Sequence, residues 1–275
     1  MTYFYGKGGL RGPPSFYERQ TMKPKITMFL CGVLVAVLIV SVSLLTAYFW
    51  KSKQQAHLYS NLAAVRAQDV QQKIASQSSV QPTSRNLYLE NSDMVGWIQI
   101  EGTSIDYPVM QTPADPNYYL KHDFKKHYTD YGCPFMQADC DALCSSDNLI
   151  IYGHNMNSGA MFGNLDLYAN ETYYQEHPFT YLQTEDGIQE YRIVTVLKAD
   201  LELFPFQKKL ADAEAVQEYL KAAKQREVFE TGDDYLTCIY DKVLTLVTCS
   251  YEWSGARNIV LAVPVSGAFW SEKCS

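Results

Sequence analysis

Two hydrophobic patterns divide the chain. The first is a single unbroken run, Ile26 to Trp50, whose 25 residues include no Asp, Glu, Lys, Arg or His. At about 1.5 Å per residue, a helix of that length crosses a bilayer core of roughly 30 Å. Tyr48 and Trp50 stand where an interfacial aromatic belt belongs. A cleaved signal peptide has an apolar region of only about 7–15 residues, and no A-x-A site follows here. The run therefore predicts an uncleaved transmembrane anchor over residues 26–50. Lys7, Arg11, Arg19, Lys23 and Lys25 precede it, and only Lys51 and Lys53 follow closely. The positive-inside rule then predicts a cytoplasmic tail over 1–25 and an extracellular remainder at the plasma membrane.

The second pattern begins near Leu87, where short apolar runs alternate with turn residues. VGWIQI (95–100), IDYPVM (105–110), NLIIYG (148–153), YRIVTVL (191–197), KVLTLVT (242–248) and NIVLAVPV (258–265) read as strands. Over 211–224, Val216, Leu220 and Ala223 share one helical face, which predicts one amphipathic helix. Many short strands with one intervening helix predict a mainly β domain over 87–275, a closed barrel or a sandwich with peripheral helices. Between the two patterns, Leu58, Leu62 and Val65 recur at helical spacing. Ser76 to Ser84 is rich in Ser and Gln, so 51–86 reads as a juxtamembrane helix and linker.

Composition narrows the function classes. A hydrophobic fraction of 47% with 21 tyrosines supports a packed body. The net charge of -7, without a dense Lys/Arg block, argues against nucleic acid as a partner. No Gly-rich phosphate loop is present, so no nucleotide cofactor is expected. The seven cysteines include Cys133, Cys140 and Cys144 in a C-x6-C-x3-C array, which lacks the C-x2-C spacing of zinc knuckles. No metal is expected there, and a loop disulfide or surface thiols are both open readings.

The candidate chemistry lies in KVLTLVTCSYEWSGARNIVLAVPV, residues 242–265. If this hairpin turns around Trp253, residues whose numbers sum to 506 lie opposite each other, and Cys249 then faces Arg257. A thiol beside a guanidinium at a strand end has the setting of a nucleophile. The same residues also fit a small core Cys and a solvated strand-end charge. A cysteine nucleophile needs an acid–base partner, usually His. His57 falls in the juxtamembrane helix, His122 and His127 in a charged loop, and His177 beside Pro178 in a polar segment. His154 alone caps a buried-looking strand, in NLIIYGHNMNSGAMFGNL (148–165), where a plain turn residue is the competing reading.

TLVTC (245–249) resembles the TLxTC signature of sortases, with Arg257 following eight residues later. YGHNMNSGAMFGNL is similar to the histidine segment of class B members, and VGWIQIEGTSIDYPVMQ and NYYLKHDF (117–124) resemble the start of the same domain. The resemblance implies a closed sortase-type β-barrel over about 87–265, with Cys249 as nucleophile, His154 as general acid and base, and Arg257 stabilising oxyanion or substrate. It equates the 211–224 helix with one that class B members insert between the sixth and seventh strands. Val247 stands where class B members often carry Ser. The implied partners are secreted proteins with a C-terminal sorting signal, cleaved through a thioacyl intermediate, and an acceptor amine on a peptidoglycan cross-bridge or a pilin. A membrane-tethered cysteine hydrolase would use the same Cys and His with water as acceptor. An anchored binding domain would leave Cys249 structural.

Overall fold

The computed structural model describes residues 24–75, 85–141, 146–232 and 234–265. The expected linker over 76–84 and Cys144 lie outside the described residues. The chain divides into two compact units, Met1–Lys53 and Gln54–Ser275.

In the first unit, the helix α1 (Pro24–Ala75) begins. Its apolar stretch leaves Met28, Phe29, Leu34, Leu38, Leu44 and Trp50 fully open to the surroundings. Among the described residues it is the one helix long and apolar enough to cross a membrane.

The second unit is a closed barrel with strand order β1-β2-β3-β4-β7-β8-β6-β5. The strands are β1 (Met94–Gln99), β2 (Asp106–Met110), β3 (Phe135–Met136), β4 (Asn148–Tyr152), β5 (Phe179–Gln183), β6 (Ile188–Ala199), β7 (Val243–Cys249) and β8 (Arg257–Pro264). Closure removes the exposed edges that an open sheet would present. β2–β3 and β4–β7 are parallel pairs, and the other neighbours run antiparallel. All six strands expected from the sequence form within a residue or two at most ends, with β6 extending further at its start. β3 and β5 are additions.

The core explains why the central strands read as continuous apolar runs. Leu244, Leu246, Val247, Ile259, Val260 and Leu261 are all buried, because β7 and β8 have a neighbour on each side and cover on both faces. α4 (Ala213–Lys224) lies between β6 and β7 in the chain, as expected. Asp212 caps it by accepting from the Ala215 N–H at 2.9 Å. It buries Val216, Tyr219, Leu220 and Ala223, while Lys221 and Lys224 complement the negative end of its dipole.

The Gln54–Ala75 part of α1 belongs to the barrel's own unit. Leu62 and Tyr59 are buried in the core, and the Tyr59 hydroxyl donates to the Gly132 carbonyl at 2.7 Å. Val65 stays largely open, whereas Arg66 on the next position is drawn in. The helical spacing of Leu58, Leu62 and Val65 thus marks the helix, but its docked face is centred on Tyr59, Leu62 and Arg66. α2 (Arg85–Glu90) and α3 (Glu171–Glu176) are single short turns at the barrel surface.

Candidate active site

Strand register builds the site. The β7–β8 hairpin pairs Leu244 with Ala262, Leu246 with Val260, and Cys249 with Arg257. Cys249 thus ends β7 opposite the first residue of β8, both half-buried at the barrel rim. β4 runs parallel to β7 with Tyr152 opposite Val247. Continuing both chains by two residues brings His154 level with Cys249. Counting on from the register thus places His154, in the turn after β4, in one row with Cys249 and Arg257 at the ends of β7 and β8.

The turn that carries His154 is held tightly to β7. The Gly153 N–H donates to the Val247 carbonyl at 3.1 Å, and the Thr248 hydroxyl donates to the Gly153 carbonyl at 2.8 Å. A Cβ on Gly153 would lie 2.5 Å from Cγ of the buried Phe162 ring, so only glycine fits there. The Phe162 N–H closes the loop on the His154 carbonyl at 2.9 Å. Its neighbour Met161 has φ of 54°, a left-handed conformation uncommon for a side chain of that size. Met161 is held there by its N–H donating to the Tyr107 hydroxyl at 3.1 Å.

His154 Nε2 lies 2.7 Å from the Leu120 carbonyl. A carbonyl only accepts, so Nε2 carries the proton and Nδ1 is the basic nitrogen of the neutral ring. Leu120 ends the short 3-10 turn Tyr118–Leu120, which anchors the imidazole.

Cys249, His154 and Arg257 all line one groove of about 730 Å³. It is also lined by Val247, Thr248 and Gly153, by Asn117 and Leu120, by Gln137 and Tyr152, and by residues of the 200–207 segment. That last segment is pinned by the buried Asn148, whose Nδ2 donates to the carbonyls of Phe206 and Lys208 at 3.1 and 3.0 Å. Asp200 accepts from the Leu203 N–H and from the Trp253 indole at 3.0 Å, joining the segment to the β7–β8 turn. These bonds, the backbone one first, hold the Asp200 carboxyl below its ordinary range. Tyr152 donates to Gln137 Oε1 at 2.6 Å and accepts from Gln207 Nε2 at 2.8 Å. Burial pushes its phenol up to about 12, so it stays a neutral hydrogen-bonding wall of the groove.

The other histidines stand elsewhere. His122 stacks on Tyr118 with centroids 3.9 Å apart, His127 sits 3.7 Å from Asp123, and His177 bonds the Glu101 carbonyl at 2.9 Å. His57 is an exposed helix residue. Cys133 and Cys140 are free and buried, their thiols donating to the Pro108 and Asn148 carbonyls, while Cys238 is disulfide-bonded. Neither surface thiols nor a mutual disulfide describes the pair Cys133 and Cys140. Among the described residues no group of His, Cys, Asp and Glu is arranged to hold a metal ion.

Sequence reasoning missed Tyr152, Gln137, Gln207, Asn155 and Asp166. Tyr152 and Asn155 flank the Gly-His turn, so proximity to His154 was the available signal. Gln137 and Gln207 reach the groove from loops and Asp166 acts from a 3-10 turn beside it, none of which carries a pairing pattern in a single sequence.

Known proteins share this architecture. The sortase domain family matches residues 98–265. Sortase B of Listeria monocytogenes is 33% identical over 171 residues, covering 61% of this chain and 67% of that protein. Sortase B of Staphylococcus aureus is 25% identical over 243 residues, covering 88% and 96%. Among solved structures, Clostridium perfringens sortase B superposes with a TM-score of 0.60 at 29% identity, covering 67% of this chain and all (100%) of that one. The Staphylococcus aureus sortase B–substrate complex gives 0.68 at 24% identity, covering 79% and 99%, a likeness of fold. A closed barrel with a cysteine at the rim end of β7 is the frame of a cysteine transpeptidase. The chain belongs to the sortase family, in class B.

Proposed function

We propose that Cys249 is the nucleophile, His154 the general acid and base, and Arg257 the oxyanion or substrate clamp of this transpeptidase. The observation that carries the reading is the row formed by His154, Cys249 and Arg257 along one groove. The Cys249 thiol passes its proton to the basic nitrogen of His154, and the resulting thiolate attacks the carbonyl carbon of the scissile peptide, commonly a Thr, of a C-terminal sorting signal. The C–N bond breaks, His154 gives its proton to the leaving amine, and a thioacyl-enzyme remains. An incoming amine then gives a proton to His154 and attacks the thioester carbonyl, releasing the Cys249 thiolate. Arg257 presents a planar, permanently charged donor fork to the oxygen that turns anionic at each step.

The substrates in this reading are secreted proteins bearing a sorting signal, and the acceptor is an amine of a peptidoglycan cross-bridge or a pilin. Residues 26–50 anchor the enzyme in the plasma membrane with 1–25 in the cytoplasm and the catalytic domain 87–275 outside. The unbroken apolar composition and the excess of cations before the span support that orientation. Tethering enzyme, substrate and acceptor at one surface raises their effective concentrations.

The test is mass spectrometry of the protein with a library of sorting peptides and candidate amines. A covalent acyl adduct on Cys249 and an amine-ligated product are expected, with Cys249→Ala giving neither. Hydrolysis that added amines leave unchanged would instead favour the tethered hydrolase.

A further inference from the structure

The β4–β7 ladder stops short of the catalytic row. Its last backbone bond is Gly153 to Val247, so neither His154 nor Cys249 is laddered to the other. What spans the gap is the buried side chain of Asn155. Its Nδ2 donates to the Cys249 carbonyl at 2.8 Å and to Asp166 Oδ2 at 2.7 Å, using both hydrogens of the amide. The other Asp166 oxygen accepts from Asn258 Nδ2, and Asn258 immediately follows Arg257. The Tyr251 hydroxyl, from the β7–β8 turn, donates to the Asn155 carbonyl at 3.0 Å. One carboxylate therefore gathers the residue after His154, the residue after Arg257 and, through Asn155, the backbone of Cys249.

The residue types fit a bracket better than a cap. Both groups facing Asp166 are amide donors, and an ionised carboxylate is the side chain that offers two acceptor oxygens and no competing donor. Asn258 is 2% exposed, and its Oδ1 has no partner among the described residues. Leaving a buried acceptor unpaired is unfavourable, yet the amide keeps its donor end on Asp166. Asp166 itself sits at the surface, in the first turn of the 3-10 helix Gly163–Ala169. It lies outside the groove and touches no reacting atom.

We propose that Asp166, acting through Asn155 and Asn258, is a positioning residue that fixes the relative heights of His154, Cys249 and Arg257. The inference rests on the roles assigned to those three residues above. The decisive variants are Asp166→Asn, which turns a donor toward one of two donors, and Asn155→Ala, which removes both bonds without adding a charge. The first probe is iodoacetamide, with the full chain in detergent micelles and labelling of Cys249 followed from pH 5 to 10. The pH–rate profile is expected to move by about half a unit or more in each variant, because thiolate reactivity depends on the charged and basic groups held around the sulfur. The second probe is the sorting peptide identified by the screen above. Its kcat is expected to fall about tenfold with KM changed less than about twofold, the pattern of an interaction realised in the transition state. The Asn155→Ala/Asp166→Asn double variant is expected to lose no more than the worse single variant, since the residues act as one unit.

Profiles that superimpose on wild type, with kcat within about twofold, would overturn the proposal. Additive losses in the double variant would do the same. If Asp166→Asn does not fold, as read by circular dichroism, Asn155→Ala and Asn258→Ala carry the same decision. Failure of the underlying reading shows separately, as residual transpeptidation by Cys249→Ala.

Discussion

Tyr152 on β4 stands opposite Val247 on β7 in parallel register, and two residues further along each chain His154 and Cys249 both line the groove at the barrel rim. Parallel partners point to the same face of a sheet, and residues two apart in a strand share that face. A slip of one residue in either strand would turn one of the two side chains to the other face. The register is pinned beneath the site by buried polar groups. The Thr245 hydroxyl donates to Asn148 Oδ1 at 2.7 Å across β4 and β7, and Thr248 bonds the Gly153 carbonyl above it.

Gly153→Ala tests how closely the turn is built. The new Cβ would meet the Phe162 ring at 2.5 Å, and Phe162 is fully buried. Overpacking of this kind costs about 1–3 kcal/mol. Because the displaced residue is the neighbour of His154, turnover should fall further than the shift in melting temperature suggests. Adding Phe162→Leu should recover part of both. Activity that tracks stability alone would show the turn to be only a structural element.

Thiol labelling should distinguish Cys249 from the two buried free cysteines of the barrel. Cys249 is half-buried at the groove, whereas Cys133 and Cys140 lie in the core. Burial pushes the thiols of Cys133 and Cys140 up, so neither supplies thiolate near neutral pH. Peptide mapping after brief iodoacetamide treatment of the native protein should find the label on Cys249 and not on those two. Labelling of Cys133 at a comparable rate would show the barrel to be looser than described.

The contrast between Cys249 and Cys133 also shows what the sequence could reveal. The partner of Cys249 was legible because an antiparallel hairpin with a short turn fixes its register by counting from Trp253. His154 was legible because a Gly-His-Asn turn breaks a buried-looking β run, and loops at strand ends are where catalytic side chains collect. β3 was not, since two residues have no period, and β5 follows His177–Pro178 in a polar stretch that reads as loop. The docking of α1 was hidden for a different reason. Apolar spacing points to Leu58, Leu62 and Val65, while the helix is seated through Arg66, whose partners lie 33 to 117 residues away. Likewise Asn148 bonds carbonyls 58 and 60 residues along. Polar side chains that serve distant backbone leave no local pattern.

Alkaline pH should unfold the barrel cooperatively. Burial pushes the phenols of Tyr59, Tyr119, Tyr168 and Tyr219 upward from their ordinary value. For an acid whose folded pKa is raised, the unfolded chain loses its proton first as pH climbs. The stabilisation is thus complete below about pH 10, the unfolded phenol value, and drains away above it. Absorbance near 295 nm and circular dichroism, followed together, should change in one transition. Phenol ionisation well before any loss of structure would contradict the burial of these rings.

Arg66 makes the most demanding prediction, because it joins α1 to three strands through one side chain. Its Nε donates to Gln183 Oε1 on β5 at 2.7 Å, and one terminal nitrogen reaches Gln99 Oε1 on β1 at 3.1 Å and Asp106 Oδ1 on β2 at 3.3 Å. The guanidinium also lies 5.4 Å from the Trp97 ring centroid, and the Trp97 indole donates to the same Asp106 oxygen at 2.6 Å. Burial lowers the Arg66 pKa, and Asp106 counters that shift, so the group remains a cation in a largely enclosed site. A lysine supplies a point charge without the fork, so Arg66→Lys should cost about 1–2 kcal/mol. Arg66→Ala removes three hydrogen bonds and leaves Asp106, whose side chain is 35% exposed, without its cation, and should cost about 2 kcal/mol once solvent screening is counted. Hydrogen exchange of the full chain in micelles should show faster exchange across residues 54–66 in both variants. The amides of β7 and β8, which Arg66 does not touch, should keep their protection. Unchanged exchange in 54–66 would mean that Tyr59 and Leu62 hold the helix unaided. Equal loss of protection throughout the barrel would instead make this helix segment an integral part of the cooperative core.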